Sequence, residues 1–375
     1  MKKINLQQYY TSSQYFYFFD ALFREMGIHK ENFLMDNYIT PSSYRRARAK
    51  EQSVGFEILN HLCELFEFVI TPKDIVNKLE KLATRIYNSM NYKIFTTYDD
   101  DLAYLESIRY NKYLITPVIE LLILFLKINS PKDPKYTIIE NIDTFKRIKG
   151  YKIFFNEDLL IIYELVELYF DLEKEDDVRI KKYNNAMAYF ILASQAFREE
   201  KYVEALYFAS KSKEICEQEG NIKRIIALNR TIMSSLLYVG NYEECYDLAN
   251  RQLLILESTQ ASDNEFKLAI KFLVVASIGI EDYKNVIESL DSDIMPNYNI
   301  TCILSLIVAL YYDDKKTYLN RLNNLIDLES YPKEVLDDME TMKLFLIKKD
   351  KNYLFQFKSD KIMPPLLKIL KKTTT

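Results

Sequence analysis

A chain of 375 residues in which 49% are apolar carries enough hydrophobic material for two or three packed domains, which excludes a disordered polymer. Six glycines and nine prolines are too few for the turn-rich all-β classes, so long helices are expected. The formal charge of −4 is too small to point to a nucleic acid or a membrane, and any such case has to be made locally.

The four cysteines, Cys63, Cys216, Cys245 and Cys302, lie far apart at no metal-ligand spacing and read as buried thiols of a reducing cytoplasm. The N-terminus, MKKINLQQYYTSSQYF, has a basic start but no following apolar run or small-residue cleavage site, so it is not a secretory signal. The longest apolar run, 117–128, contains Glu120 and falls short of the roughly 20 residues that a membrane span needs. A soluble cytoplasmic protein with no membrane partner is the expectation.

In chain order, residues 13–26 place Phe16, Phe19, Leu22, Phe23 and Met26 on one helical stripe that Gly27 can close. A second short helix is expected at about 29–36. A third starts with Thr40 as N-cap and Pro41 in the first helical position, and a strongly apolar fourth covers 54–68. The third helix presents the hydroxyls of Thr40, Ser42 and Ser43 at its N-terminus and Arg45, Arg46, Arg48 and Lys50 beyond them. Such a helix can enter the major groove of double-stranded DNA, arginine reading guanine while hydroxyls grip phosphate. The alternative is a solvated basic face on an ordinary helical hairpin.

Over 29–68 these residues resemble the helix-turn-helix of Cro/repressor-type regulators. Phe33, Ile39 and Tyr44 fall at that module's apolar positions, and Thr40 stands where a capping serine is common. Leu34 replaces the usual small alanine and Tyr38 replaces the turn glycine, so the match is partial. The expected division is 1–70 as a helix-turn-helix-like DNA-binding domain and 71–375 as a helical-repeat domain for peptide binding and dimerisation.

Further on, helices are expected at 72–90, from Thr97, at 138–147 and at 156–173. The acidic run Asp99-Asp100-Asp101 reads as an N-terminal dipole cap, because three consecutive helical residues cannot all face one ion. The stretch 130–136 is the clearest break and reads as a turn, and the charged stretch 173–182 as a join between repeats. Residues 183–258 form two helical hairpins that superpose at a 40-residue offset, Phe197 on Leu237, Tyr202 on Tyr242, Ala205 on Cys245 and Ala209 on Ala249. The aromatic that opens the second helix returns at Tyr283, Tyr318 and Tyr353, the last two steps being 35 residues each. That is near the tetratricopeptide period of about 34, so the fold class is all-α: a helix-turn-helix-like bundle followed by a right-handed solenoid of degenerate tetratricopeptide-like hairpins. The tail places Leu366, Leu367, Ile369 and Leu370 beside lysines, an amphipathic helix that can dock on the solenoid end or on a second subunit.

Chemistry has little to work with. Neither His29 nor His61 has a nucleophile or a second ligand at motif spacing, and the glycines are isolated, so no enzyme activity, cofactor or metal is expected. The solenoid instead offers a groove. On the first helices of the hairpins, Met187, Phe190 and Ser194, then Arg230 and Ser234, fall on or near its concave side. Asn229 beside Arg230 interrupts an apolar helix, and Asn184 and Asn185 extend the polar track one repeat earlier. An asparagine amide can bond an extended peptide backbone, and an arginine can hold a carboxylate. The alternative is that these residues hydrogen-bond between adjacent helices.

A helix-turn-helix followed by about 300 residues of degenerate repeats resembles the peptide-pheromone receptors of Firmicutes and their phages, the Rap/Rgg/NprR/PlcR/PrgX group, and is similar in size and layout to the phage arbitrium receptors, best over 179–258. The resemblance implies a homodimeric transcription regulator whose operator binding is set by a short signalling peptide clamped by Asn and Arg. A second expectation, from another class, is a Rap-like module that grips a response regulator or other protein and binds no DNA. A bare scaffold without a small ligand is the third.

Overall fold

The computed structural model describes residues 2–49, 52–92, 97–128, 134–170, 185–259, 261–290, 300–313, 333–348, 352–353, 356 and 364–373. Among them are eighteen α-helices and no strand beyond a single bridge between Val69 and Tyr113. No helix among the described residues is long and apolar enough to cross a membrane. The chain divides into two compact units, Met1–Ile191 and Leu192–Thr375.

The first unit is built on α1 (Ser12–Glu25), where Phe16, Phe18, Phe19 and Phe23 are all buried. It packs against α3 (Pro41–Arg48) and α4 (Gln52–Phe66), with α2 (Lys30–Asp36) beside α3. These four helices fall within two residues of their expected spans. Next come α5 (Lys73–Tyr92), α6 (Tyr98–Arg109), α7 (Thr116–Lys127), α8 (Pro134–Gly150) and α9 (Glu157–Phe170). Helix α7 is buried on every side from Pro117 to Leu126, as an all-round apolar helix must be, and α5, α6, α8 and α9 surround it.

The expected boundary at residue 70 does not divide the core. Phe18 packs edge-on against Phe68 and Phe154 and lies 5.4 Å from the Tyr151 ring, while the buried Tyr9 hydroxyl donates to Phe154 O. Residues before and after 70 thus share one continuous apolar cluster. The acidic run does lie in the first turn of α6, but Asp101 is buried and takes both Arg85 and the Thr97 hydroxyl, so it also ties α6 to α5. The charged join at 173–182 and residues 130–133 of the expected turn lie outside the described residues.

The second unit begins within α10 (Ala186–Arg198) and continues with α11 (Tyr202–Gln218), α12 (Ile222–Val239), α13 (Tyr242–Ser258), α14 (Asp263–Gly279), α15 (Tyr283–Leu290), α16 (Ile300–Asp313), α17 (Lys333–Lys348) and α18 (Pro364–Thr373). Three hairpin turns repeat one backbone device. Glu200, Gly240 and Glu281 each adopt a left-handed conformation, with φ of 62°, 84° and 63°. In each turn the next residue's N–H reaches back five residues, Lys201 to Ala196 O, Asn241 to Leu236 O and Asp282 to Ser277 O. These are Schellman caps, and two residues after each left-handed position a tyrosine opens the second helix.

The hairpins stack through those tyrosines. Tyr202 lies parallel to Tyr238 near the end of α12, with ring centroids 4.2 Å apart. Tyr242 covers Gly279 at the end of α14 so closely that a Cβ there would overlap its ring. The first helices also pack on one another, α12 on α14 and α14 on α16. Tyr283 opens α15 as expected, Tyr353 sits in a 3-10 turn, and Tyr318 is outside the described residues. The tail helix α18 docks within its own chain: Pro365, Leu366 and Ile369 are buried, it packs on α14 and α12, and Lys368 Nζ lies 3.5 Å from Tyr238 O.

Candidate functional site

Two surfaces follow from the sequence, one on α3 in the first unit and one on the first helices of the hairpins. At the start of α3, Thr40 Oγ1 accepts from Ser43 N at 3.2 Å and bonds the Ser42 and Ser43 hydroxyls. Arg46 Nη2 donates to Ser43 Oγ and Arg45 Nε to Pro41 O, both guanidiniums being exposed. Lys50 lies outside the described residues.

Arg48 is placed otherwise than expected. It turns into the bundle, where Nη1 is 2.9 Å from Asp20 Oδ2 and its guanidinium lies over the Tyr17 ring. Asp20 is buried on α1 and also takes Lys30 of α2 at 3.0 Å and the Tyr44 hydroxyl of α3 at 3.1 Å. Burial and the neighbouring carboxylate push the Tyr44 hydroxyl well above the ordinary tyrosine range, so it stays a donor at any physiological pH. One carboxylate thereby fixes three helices, and α3 is held with Arg45 and Arg46 outward. The sequence reading missed Asp20, although it is the sole charge in the run FYFFDALF.

The turn before α3 is another Schellman cap, Ile39 N to Leu34 O and Tyr38 N to Met35 O. Leu34 and Ile39 are buried together there, and Phe33 packs against Phe23 and Phe66. Tyr38 holds the left-handed position at φ 60° with its side chain 97% exposed, so a tyrosine occupies a slot that suits glycine. His61 is half-buried with Nε2 3.2 Å from Asn37 O, a helix-face histidine that pins this turn to α4.

The proposed peptide-contact residues divide between the units. Asn184 lies outside the described residues. Asn185 Oδ1 accepts from Met187 N at 2.7 Å, and Met187 is buried while Phe190 packs partly against the first unit's core. In the second unit Ser194 and Ser234 are half-buried.

Asn229 is a correction. It is 0% exposed, and its Nδ2 donates to Gln252 Oε1 of α13 at 2.7 Å, with Gln252 Nε2 3.4 Å from Ile226 O. Its amide therefore joins two packed helices and faces no groove. The sequence placed it on an open face because an amide in an apolar helix lacks an obvious partner; the partner is 23 residues downstream. Arg230 beside it remains half-exposed and meets Glu265 of α14 at 3.6 Å. Of the pair, only Arg230 can offer a guanidinium to a ligand, and a ligand carboxylate would compete with Glu265 for it.

The comparisons place no known protein beside this chain. No family model, curated protein or solved structure matches it. All four cysteines are buried and free, and burial raises the thiols to about 11 for Cys216 and about 12 for the other three, so none is primed for nucleophilic work. Among the described residues no group of three or more His, Cys, Asp or Glu side chains is placed to hold a metal ion.

Proposed function

We propose that this chain is a homodimeric, DNA-binding regulator that responds to a short peptide held by its helical hairpins. The observation that carries the reading is α3: an N-capped helix whose Arg45 and Arg46 point outward while Asp20 and Tyr44 fix its orientation from behind. A reading helix has to be pre-set in this way, because ordering long side chains and a mobile helix on the DNA would cost affinity. The hairpins supply an extended surface of stacked first helices on which Ser194, Arg230 and Ser234 are the remaining polar candidates for a peptide. In this reading the peptide binds one curvature of the stack better than another and so shifts the population of DNA-competent dimers.

A second reading, a module that binds another protein and no DNA, is favoured by the internal pairing of Arg48, which leaves fewer free cations on α3, and by the exposed Met35 on α2, Tyr38 in the turn before α3 and Phe56 on α4. Fluorescence anisotropy with a duplex from upstream of the gene separates the two. The DNA reading expects log affinity to fall linearly with log salt, and the Arg45→Ala/Arg46→Ala variant to lose about 1–3 kcal/mol of discrimination against an unrelated duplex for each guanine-reading arginine removed. A wild type without salt-sensitive binding hands the function to the protein-interaction reading.

A further inference from the structure

The first unit contains a cavity of about 550 Å³ between α1, α7 and α8, away from α3. One wall is apolar: Phe18, Leu22 and Phe68, with Pro117 at the start of α7 and the exposed Met26 and Tyr110 at the rim. The other end is charged. Glu120 is buried there, and two guanidiniums converge on it: Arg109 through Nε at 3.2 Å, and Arg147 through both Nε and Nη2.

Glu120 is shared by both guanidiniums and Glu106 takes a further share of Arg109, so the cation left incompletely paired at the inner end is Arg147. Arg109 is used up, because it also bonds Thr144 and reaches Glu106. Arg147 is not. Glu120 takes its Nε and Nη2 edge, the side chain is 43% exposed, and among the described residues its Nη1 amino group makes no hydrogen bond. The nearby start of α7 offers little else to an anion, since Thr116 N donates to Tyr113 O, Val118 N and Ile119 N to Ile115 O, and Pro117 has no N–H. Glu25 at the rim is exposed and already receives the Tyr151 hydroxyl at 2.7 Å. Lys112 at the mouth is engaged by Glu67 at 2.8 Å.

We propose that this cavity binds a carboxylate carried on an apolar body, the form shared by small organic acids and by the C-terminal residue of a peptide. The carboxylate sits on the open amino group of Arg147 while an aromatic or branched body fills the space against Phe18, Leu22 and Phe68. The volume suits this, since ligand pockets run from about 300 to 1,000 Å³ with mostly apolar walls and a few placed polar groups. Arginine beside an already paired carboxylate is the right donor, because its planar fork serves two acceptors at once. The inference stands independently of the DNA reading.

The test is calorimetry on the full chain with 3-phenylpropanoate, its neutral amide, and an acetylated dipeptide ending in phenylalanine with a free carboxylate. Saturable binding of at least one carboxylate is expected, with the amide weaker by about tenfold or more. Whichever carboxylate binds more tightly identifies the source. Arg147→Gln should weaken binding by a similar factor. Met26→Trp, a change at an exposed rim position, should block it without touching the core, which keeps the test valid if Arg147→Gln unfolds. No binding of either carboxylate at millimolar concentration, equal binding of acid and amide, or full binding to Met26→Trp would overturn the proposal.

Discussion

Replacing Asn229 by alanine distinguishes a helix clamp from a ligand contact. In the structure Asn229 Nδ2 gives Gln252 Oε1 the one hydrogen bond that this oxygen accepts among the described residues, and the pair is buried. Asn229→Ala removes that bond, worth about 1 kcal/mol net, and leaves the Gln252 oxygen stranded at a further cost of about 1–3 kcal/mol. Asn229 Oδ1 is itself buried without a partner among the described residues, so its removal offsets part of this and the expected loss is about 1–3 kcal/mol, still a sizeable share of the roughly 5–15 kcal/mol that holds a typical domain folded. Gln252→Ala should cost a similar amount, leaving the Asn229 amide without an acceptor. The double change Asn229→Leu/Gln252→Met replaces both polar groups by apolar ones of similar size and should recover most of the loss. Urea unfolding followed by helical circular dichroism reads all four proteins. An Asn229→Ala variant that unfolds at the wild-type midpoint would refute the clamp.

Tyr38, Glu200 and Glu281 hold left-handed positions, so glycine at each should raise stability by about 0.5–1 kcal/mol, the steric relief of about 1–2 kcal/mol less the entropy that glycine adds to the unfolded chain; a lower melting temperature at all three would argue against the turns described. Deleting 364–373 should uncover the surface of α12 and α14 under Leu366 and Ile369, giving increased binding of an apolar dye and a lower melting temperature; an unchanged melting temperature would mean that α18 contributes nothing to its own unit. The cysteines give a pH dependence. Cys216 ionises near 9 when unfolded and near 11 when folded, so its effect is nil below 9, and stability falls as pH rises from about 9 to 11 because only the unfolded state sheds the proton. A native protein whose four thiols react with a disulfide reagent at pH 8 as fast as the denatured chain would contradict their burial.

Much of the helical plan was legible in the sequence because it rests on local signals. Thr40 with Pro41 marked the start of α3, Gly27 followed α1 closely, and the tyrosines at 202, 242 and 283 marked the second helices. Two things were less legible. The turns that make the hairpins alike share a dihedral angle and not a residue: glycine fills it at 240, glutamate at 200 and 281, and tyrosine at 38 before α3. The site partners lay at long range, Gln252 for Asn229, Glu265 for Arg230 and Asp20 for Arg48, and no spacing rule reaches across 23, 35 or 28 residues. Residue 70 misled for a similar reason. The composition changes little there, while Phe18 and Phe68 are joined to Phe154 only by the fold.

Helix α1 has one further property that follows from its two occupied sides. Its Asp20 side carries the bonds that set α3, and Phe18, Leu22 and Glu25 form a wall of the cavity. Fourteen residues make a rod about 21 Å long, so a tilt of about 5° about its middle displaces each end by about 1 Å. Phe16 and Asp20 lie near the pivot and move by only about 0.2–0.3 Å in such a tilt, whereas a translation of the whole rod by about 1 Å would stretch the hydrogen bonds now at 3.0 and 3.1 Å past the distance at which they count. The rod is thus a push-rod: whatever wedges the cavity apart and displaces it as one piece pulls directly on the bonds that set α3.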